Sequence, residues 1–427
     1  MKVTADTRPY YWAALPEPTL RRPLQGSAEC DVGVVGGGIA GICAALHLAQ
    51  RGYRVTVLEA ERIGWGASGR SGAQALFGVA AGQDKLQHLI GNDAARRIWD
   101  MSVEALALMR ELIEAHRIDC DYVHGQMHVA IKARHWAELQ QWHEELQAMY
   151  DYRSVQLLDA AATHRLVASE RYIGGLHDSN SGHLQPLKYL RGLTAAAEQL
   201  GCTVHENSRA LHYQRRDGKL RLITAQGELS CRHIVFAGNA WLGDTAPPLQ
   251  RRIMPVGTYI VATEPLGEAA ARALLPQNTA VTDINWVLDY FRRSADHRLL
   301  FGGRVSYSGL DPFNTAQATR ARMLTVFPQL RDIRIDYSWG GYVDITLNRA
   351  PDFGRLESDV YYLQGFSGHG MALTGLAGKL VAEAIAGNAE RFDVFAQIPH
   401  KNFPGGALLR RPALVLAMLY YRLRDLL

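Results

Sequence analysis

Residues 32–41 read VGVVGGGIAG, an apolar run of strand-forming residues that passes directly into the pattern G-x-G-x-x-G. In such a pattern Gly36 allows a tight turn, and Gly38 allows the backbone to approach a pyrophosphate closely. Gly41 allows the following helix to pack on the strand. The stretch therefore predicts a β-strand, a phosphate-binding turn and a helix in immediate succession.

The residues that follow support this interpretation. A helix is predicted over residues 39–51, and its first N–H groups, which include those of Ile39 and Ala40, favour an anion at the turn. A second apolar strand, Val55-Thr56-Val57-Leu58, ends in Glu59, and an acid at this position binds ribose hydroxyls. A glycine-rich turn without a nucleotide is the other interpretation, but the full order of elements favours a dinucleotide-binding unit.

The composition is that of an ordinary globular protein, with 427 residues, 48% hydrophobic and 21% charged residues, and a formal charge of +4. The length indicates about two domains. No run of Lys and Arg is interleaved with aromatic residues, so small molecules rather than nucleic acids are the expected partners. The five cysteines follow no C-x-x-C or zinc-ligand spacing, which predicts a reduced, cytoplasmic protein without a metal site.

The ends of the chain carry two further expectations. The N-terminus has charged residues and no apolar segment followed by a cleavage site, so no secretory signal is predicted. Residues 412–421 are apolar and lie between Arg410-Arg411 and Arg422. This stretch is too short to span a bilayer, and it predicts a C-terminal helix packed on the protein, with weak contact to a membrane surface as the alternative.

Helical and strand-like stretches alternate after the first unit. Apolar residues recur at helical spacing over residues 86–118 and 133–149, where two or three helices are predicted. Residues 122–131 are strand-like, with a turn expected at Gly125. A further helix, with proline at its start and glycine after its end, is predicted over residues 186–200.

Most of the later elements are predicted to be strands. These are expected at residues 203–206, 211–214, 220–224 and 233–237, with a hairpin turn at Arg216-Asp217-Gly218-Lys219. Residues 253–347 are rich in aromatic and β-branched residues and predict an antiparallel sheet. At residues 361–386, strand, glycines and helix recur in the order of the first unit, so the first domain is expected to resume there.

Four segments together resemble the FAD-dependent amine and D-amino-acid oxidases related to glycine oxidase. They are the first strand–turn–helix unit, GASGR at 66–70, IVFAGNAW at 234–241 and FSGHG at 366–370. Within that family the likeness is greatest to the gamma-glutamylputrescine oxidoreductases of polyamine catabolism. It rests on a set of further segments: YYW at 10–12, SGHLQP at 181–186, LDYFR at 288–292, GRL at 354–356, RFD at 391–393 and FPGG at 403–406.

The resemblance implies an α/β fold, with a Rossmann-type (GR2-like) FAD-binding domain and a second, mainly antiparallel β substrate domain. The FAD-binding domain is expected at residues 1–82, 151–250 and 350–427, and the substrate domain at residues 83–150 and 251–349. FAD, rather than a nicotinamide, is the implied cofactor. The residues expected to contact it are Gly36, Gly38, Ile39, Ala40, Gly41, Glu59, Ala60, Gly66, Ala67, Ser68, Ser71, Gly72, Ala210, Gly238, Asn239, Gly368, His369, Gly370 and Met371.

Two departures from related enzymes narrow the expectation. Monomeric sarcosine oxidases attach flavin through a cysteine in the C-terminal part, whereas this chain has no cysteine after Cys231, which excludes a cysteinyl link there. Noncovalent FAD is expected, with a histidyl link as the alternative, since the chain has 16 histidines. The same relatives have a lysine for the substrate carboxylate two residues after the second glycine of FSGHG, where this chain has Ala372. Because an unpaired buried carboxylate is costly, a longer amine is the expected substrate rather than a small amino acid.

The resemblance implies oxidative deamination of gamma-glutamylputrescine or a related glutamylated polyamine, by hydride transfer to flavin N5, giving an aldehyde and ammonia. His369 is the candidate catalytic residue, and orientation of its loop through hydrogen bonds is the other role weighed for it. The candidates for substrate binding are Tyr259, Tyr290, Arg304, Trp339 and Arg349, with Trp286, Arg292, Tyr307 and Tyr342 considered beside them. A D-amino-acid or glycine/sarcosine-type oxidase or dehydrogenase is the alternative, and a flavin-binding protein without turnover is a third interpretation.

Overall fold

The computed structural model describes residues 7–18, 20–285, 287–306 and 314–404, without the side chains of residues 304–306. The predicted C-terminal helix at 412–421 and the candidates Trp286 and Tyr307 lie outside the described residues. In the part of the chain that is described, no helix is long and apolar enough to cross a lipid bilayer.

Strands and helices alternate along the described chain. In chain order the strands are β1 (Gly26–Glu29), β2 (Val32–Val35), β3 (Val55–Leu58), β4 (Gln74–Ala75), β5 (Val123–Ala130), β6 (Val155–Asp159), β7 (Gly174–His183), β8 (Thr203–His205), β9 (His212–Arg216), β10 (Lys219–Ile223), β11 (Gly227–Cys231), β12 (His233–Phe236), β13 (Ile253–Thr263), β14 (Ala280–Asp283), β15 (Tyr290–Arg293), β16 (Leu299–Ser306), β17 (Ile335–Thr346), β18 (Asp352–Glu357) and β19 (Val360–Gln364). The helices are α1 (Tyr10–Ala13), α2 (Ile39–Ala49), α3 (Gln83–Ile90), α4 (Asn92–Ala115), α5 (Ala133–Tyr150), α6 (Ala160–Leu166), α7 (Pro186–Gln199), α8 (Pro247–Gln250), α9 (Glu268–Leu274), α10 (Thr315–Val326), α11 (Leu373–Ile385) and α12 (Glu390–Ala396).

The central sheet has the strand order β18-β19-β12-β2-β3-β8. Its strands are parallel, except that β18 pairs antiparallel with β19. Because the carboxyl ends of parallel strands lie at one edge of a sheet, the chain segments that follow β2, β3 and β12 meet there. This confirms the predicted Rossmann-type unit.

Two helices from opposite ends of the chain, α2 and α11, pack against each other beside the central sheet. Nearly every residue of α2 is buried, which explains its apolar sequence. The helix predicted at the end of residues 361–386 is α11, which begins at Leu373. The stretch over residues 86–118 and 133–149 forms the three helices α3, α4 and α5, so the predicted helices are confirmed.

The small sheet, with the order β1-β11-β10-β9, contains the predicted hairpin. Asp217 and Gly218 have φ values of 53° and 73°, as a type I′ turn requires of its two central residues. Strand β11 was not predicted, because Gly, Glu and Ser in its sequence GELSC have weak strand propensity. Pairing with β1 and β10 holds it in the sheet.

The large sheet has the order β17-β13-β16-β15-β14-β5-β7-β4, with β6 paired on β7. Its pairs are antiparallel, except for β14 with β5. Strands β4, β6 and β7, which the sequence predicts in the FAD-binding domain, pair within this sheet. The division of the chain into two domains stays a prediction. The turn expected at Gly125 is wrong, since β5 continues through it with a register shift between His124 and Gln126, which is a β-bulge.

Candidate active site

The glycines that follow β2 form a turn that excludes larger residues. Gly36 has a φ of 112°, and a Cβ atom added to it would lie 2.6 Å from the Ala237 carbonyl oxygen. A Cβ on Gly41 would lie 2.0 Å from the carbonyl oxygen of Gly36. Gly41 therefore lets α2 pack closely on β2, and the bare backbone at residues 36–38 stays open to a ligand.

Two side chains fix the geometry of this turn. The carboxylate of Glu59, at the end of β3, accepts hydrogen bonds from the N–H groups of Gly37 (2.7 Å) and Glu61 (2.9 Å). Burial raises the pKa of the Glu59 carboxyl above its usual range. The hydroxyl oxygen of Ser68 accepts a hydrogen bond from the Ile39 N–H at 3.1 Å, which ties the loop at residues 66–72 to the first turn of α2.

A narrow cavity runs along the carboxyl edge of the central sheet, beside this turn. Its lining contains most of the residues that the sequence predicts to contact the pyrophosphate and adenosine of FAD. Those that line it are Gly36, Gly38, Ile39, Ala40, Glu59, Ala60, Gly66, Ala67, Ser68, Ala210, Gly238 and Asn239. Gly41 does not line it, because its place is the contact between helix and strand.

A second cavity, of about 920 Å³, lies between the central and large sheets. It shares Ile39, Ala67, Ser68 and Asn239 with the first cavity, so the two are adjacent. The remaining residues predicted for the flavin line it: Ser71, Gly72, Gly368, His369, Gly370 and Met371. From these residues the cavity extends to the side of α5.

His369 is held in the wall of the larger cavity. Its Nε2 donates a hydrogen bond to the Phe77 carbonyl oxygen at 2.7 Å. Since a carbonyl only accepts, Nε2 carries the proton and Nδ1 is left as the acceptor of the ring. Burial lowers the pKa of His369. The imidazole is therefore neutral at pH 7, and its hydrogen bond matches the loop-orienting role weighed from the sequence.

The predicted substrate residues do not all lie at this cavity. Tyr290 and Arg349 line it. Tyr259 and Trp339 do not. The Tyr259 ring packs over Gly340, and Trp339 Nε1 donates to the Arg70 carbonyl oxygen. For Arg304 the structure gives only the backbone, which pairs with Tyr259 in the large sheet.

Two of the other candidates also have a different position from the one expected. Arg292 is buried, and its guanidinium donates to the Gly72 carbonyl oxygen at 3.0 Å. Tyr342 packs edge-on against Trp241, with ring centroids 5.3 Å apart. Neither residue lines the larger cavity. Both residue types would suit a substrate site, but at these positions the tyrosine packs against another ring and the arginine binds a loop.

Several residues at the larger cavity were missed from the sequence. His128 of β5 lines it, and burial lowers the pKa of this imidazole to about 3. Glu138, Gln141, Trp142 and Glu145 of α5 line its outer part. Their spacing of three and four residues puts them on one helix face, and that spacing is the signal that could have identified them.

Comparison with known proteins assigns the chain to a class. Residues 31–384 match the model of the DAO family, described as FAD dependent oxidoreductase, and the chain belongs to this family. It is 43% identical to the gamma-glutamylputrescine oxidoreductase of Escherichia coli (strain K12), over 99% of both chains. It is 39% identical to the probable oxidoreductase OrdL of Haemophilus influenzae, over 98% of this chain and 97% of the relative.

Solved structures support the fold. A glycine oxidase from Bacillus cereus superposes with a TM-score of 0.72, at 20% identity, over 87% of this chain and 99% of the other. The residues present fit FAD, because the bare turn at 36–38 and the start of α2 suit a pyrophosphate. The buried Ser71 hydroxyl oxygen at the larger cavity has no hydrogen-bond partner among the described residues and suits a ligand. The protein is an FAD-dependent oxidoreductase.

Proposed function

We propose that this enzyme deaminates a glutamylated polyamine, gamma-glutamylputrescine or a close relative, giving an aldehyde and ammonia. The observation that carries the proposal is the combination of full-length similarity to a gamma-glutamylputrescine oxidoreductase with a long cavity. A cavity of about 920 Å³ exceeds what a small amino acid needs beside a flavin ring. It extends from the loop of His369 to α5, which suits a substrate whose reacting amine is far from a bulky end.

The charges along the cavity support a cationic substrate. Glu138 and Glu145 line its outer part, and their carboxylates attract a protonated amine at the entrance. Tyr290, Arg349 and His128 line it as well. We assign Arg349 to a carboxylate of the substrate, because a guanidinium matches a carboxylate with two parallel hydrogen bonds.

The roles of the cofactor residues follow from their chemistry. Bound FAD supplies the oxidant that accepts a hydride, at flavin N5, from the carbon beside the amine. We propose that the N–H groups at the start of α2 bind the pyrophosphate and that Glu59 binds ribose hydroxyls. The neutral His369 offers Nδ1 as an acceptor for an N–H group of the substrate amine. Water then hydrolyses the imine product to the aldehyde and ammonia.

We also propose that FAD is bound without a covalent bond. All five cysteines are described and buried: Cys30, Cys43, Cys120, Cys202 and Cys231. None of them lines either cavity. We propose a cytoplasmic location, because free cysteine thiols suit a reducing compartment. Denaturation in acid should release FAD into the supernatant, and flavin that stays with the precipitated chain would contradict a noncovalent bond.

The substrate is tested by mixing the purified holoenzyme anaerobically with gamma-glutamylputrescine and recording the visible flavin spectrum. Putrescine, sarcosine and D-alanine serve as controls. We expect rapid bleaching by the glutamylated amine and at least tenfold slower bleaching by the controls. Bleaching by sarcosine or D-alanine alone would support the amino-acid oxidase alternative, and a stable yellow spectrum with every amine would reject the proposed reaction.

A further inference from the structure

Three successive carbonyl groups beside the larger cavity each accept a hydrogen bond from a different buried side chain. Trp339 Nε1 donates to the Arg70 carbonyl oxygen at 2.9 Å. The Tyr11 hydroxyl donates to the Ser71 carbonyl oxygen at 2.9 Å. Arg292 Nε donates to the Gly72 carbonyl oxygen at 3.0 Å. The three donors come from β17, α1 and β15, so distant parts of the chain converge on residues 70–72.

The three donors also contact one another. Arg292 Nη2 donates to the Tyr11 hydroxyl oxygen at 3.0 Å, and its guanidinium lies over the Tyr11 ring, 5.7 Å from the centroid. The Tyr11 and Trp339 rings meet edge to face, with centroids 5.5 Å apart. The three residues therefore form one connected group, which we call the loop clamp.

The loop clamp is buried and has no carboxylate in it. Tyr11, Trp339 and Arg292 are 0%, 3% and 4% exposed, and none of them lines either cavity. Within the described chain, Arg292 forms no ion pair with an acid. A buried cation is costly unless its donors are satisfied, and here they are satisfied by carbonyl oxygens and the Tyr11 hydroxyl. Because burying a guanidinium is costly, its use in binding this loop indicates that the conformation of the loop is important.

The opposite side of residues 70–72 faces the larger cavity. Ser71 and Gly72 line this cavity, and the buried Ser71 hydroxyl oxygen has no partner among the described residues. The Tyr290 ring lies so close to Gly72 that an added Cβ would be 2.5 Å from it. If the peptide group at Ser71 or Gly72 rotated, its carbonyl oxygen would lose the hydrogen bond from its buried donor. That carbonyl oxygen would then face the ligand in place of a hydroxyl or N–H group.

We propose that Tyr11, Arg292 and Trp339 are positioning residues for FAD. By binding the carbonyl oxygens of residues 70–72, the loop clamp turns the donor side of this loop towards the flavin. It acts on the cofactor through the loop, since none of its three side chains lines a cavity. The proposal needs FAD binding and holds whichever amine is the substrate.

The test compares Tyr11→Phe with Tyr10→Phe. Tyr10 is the matched control, because it is the neighbouring buried tyrosine and its hydroxyl donates to Asp296 instead of the loop. Tyr11→Phe loses the hydrogen bonds of its hydroxyl to Ser71 and Arg292, and Tyr10→Phe loses the one to Asp296, so we expect both to lower the melting temperature of the apoprotein, Tyr11→Phe by more. Only Tyr11→Phe should raise the FAD dissociation constant, by about fivefold, and change the visible circular dichroism and the midpoint potential of bound FAD.

Two further variants keep the proposal testable if Tyr11→Phe folds poorly. Arg292→Lys keeps the cation but loses the fork that reaches both Gly72 and Tyr11, and Trp339→Phe loses only the donor to Arg70. We expect both to change the flavin spectrum in the same direction as Tyr11→Phe. Identical flavin spectra, potentials and FAD affinities in Tyr10→Phe and the loop-clamp variants would overturn the proposal and leave these residues a purely structural role.

Discussion

Asp344 is a buried acid at the larger cavity, and its surroundings in the fold change its pKa. Its side chain lines the larger cavity and is 1% exposed. Its carboxyl group accepts a hydrogen bond from the Gly365 N–H, and its carbonyl oxygen accepts one from Ser367. These bonds hold the start of the loop that carries His369. Burial raises the pKa of Asp344 to about 7, and the charge of Asp352 adds to this effect.

Stability is expected to depend on the charge of Asp344. Because the folded-state pKa is raised from 3.8 to about 7, the folded state binds the proton more tightly, and this stabilisation is lost as the pH rises towards 7. Between pH 5.5 and 8.5 the wild type should lose about 2 kcal/mol relative to Asp344→Asn, which has no charge to bury. Urea unfolding of the two holoenzymes at both pH values measures this change. A constant difference between them would contradict it.

A comparison of Gly36 with Gly52 separates two costs of adding a Cβ atom: the strain of a positive φ and a steric clash with backbone. Both have a positive φ, 112° and 84°, but only at Gly36 does an added Cβ collide with backbone. Gly52→Ala should therefore cost only about 1–2 kcal/mol of unfolding free energy. Gly36→Ala should cost more and weaken FAD binding at least tenfold, because the turn must move away from Ala237. Urea unfolding and FAD titration measure both effects, and equal behaviour of the two variants would refute the steric argument.

Single residues also mark the limit of prediction from the sequence. The glycine turn and Glu59, predicted from their order along the chain, line the narrow cavity. Tyr259 and Trp339 do not line the larger cavity, because residue type gives no information about which side of a sheet faces a cavity. His128 was missed for the same reason, since its exposure to the cavity depends on the neighbours of β5 in the large sheet.

At the scale of elements, α2 and α11 approach each other closely at Gly378. A Cβ on Gly378 of α11 would lie 2.5 Å from the Ala44 backbone nitrogen, whereas one on Gly375 would meet only the Cys43 sulfur at 3.9 Å. Gly378→Ala should therefore separate the helices and cost about 3 kcal/mol. Gly375→Ala, the matched control one turn away, should be neutral or stabilise by up to about 1 kcal/mol through helix propensity. Chemical unfolding distinguishes them, and a harmless Gly378→Ala would show that the helices tolerate a wider spacing.

Helices and strands were predictable from the sequence where neighbouring residues determine their ends and turns. The helices α2, α7 and α11 begin with glycine or proline signals, and the hairpin between β9 and β10 has its own turn residues. Strand β11 and the pairing of β6 and β7 in the large sheet were not predictable, because distant partners determine them.

At the scale of the whole molecule, the candidate site joins parts that are far apart in the chain. The central sheet contributes the edge that suits the pyrophosphate, the large sheet contributes Tyr290, and α5 contributes the outer wall. The loop clamp connects the N-terminal segment to both sheets through residues 70–72. The sequence therefore predicts which segments form the candidate site, while the shape of the larger cavity depends on how these parts assemble.

The carboxylates on α5 should act over this larger scale by attracting the substrate. Glu138→Gln and Glu145→Gln each remove a negative charge from the cavity wall, so KM for a cationic amine should rise about two- to threefold at low salt, with kcat unchanged. At high salt the effect should disappear, because mobile ions screen the attraction.

Glu144→Gln is the control, since Glu144 is exposed on the same helix without lining the cavity. Steady-state kinetics in two salt concentrations measure the change. A KM that rises equally in all three variants would reflect net charge alone, and a fall in kcat would place these glutamates in direct contact with the bound substrate.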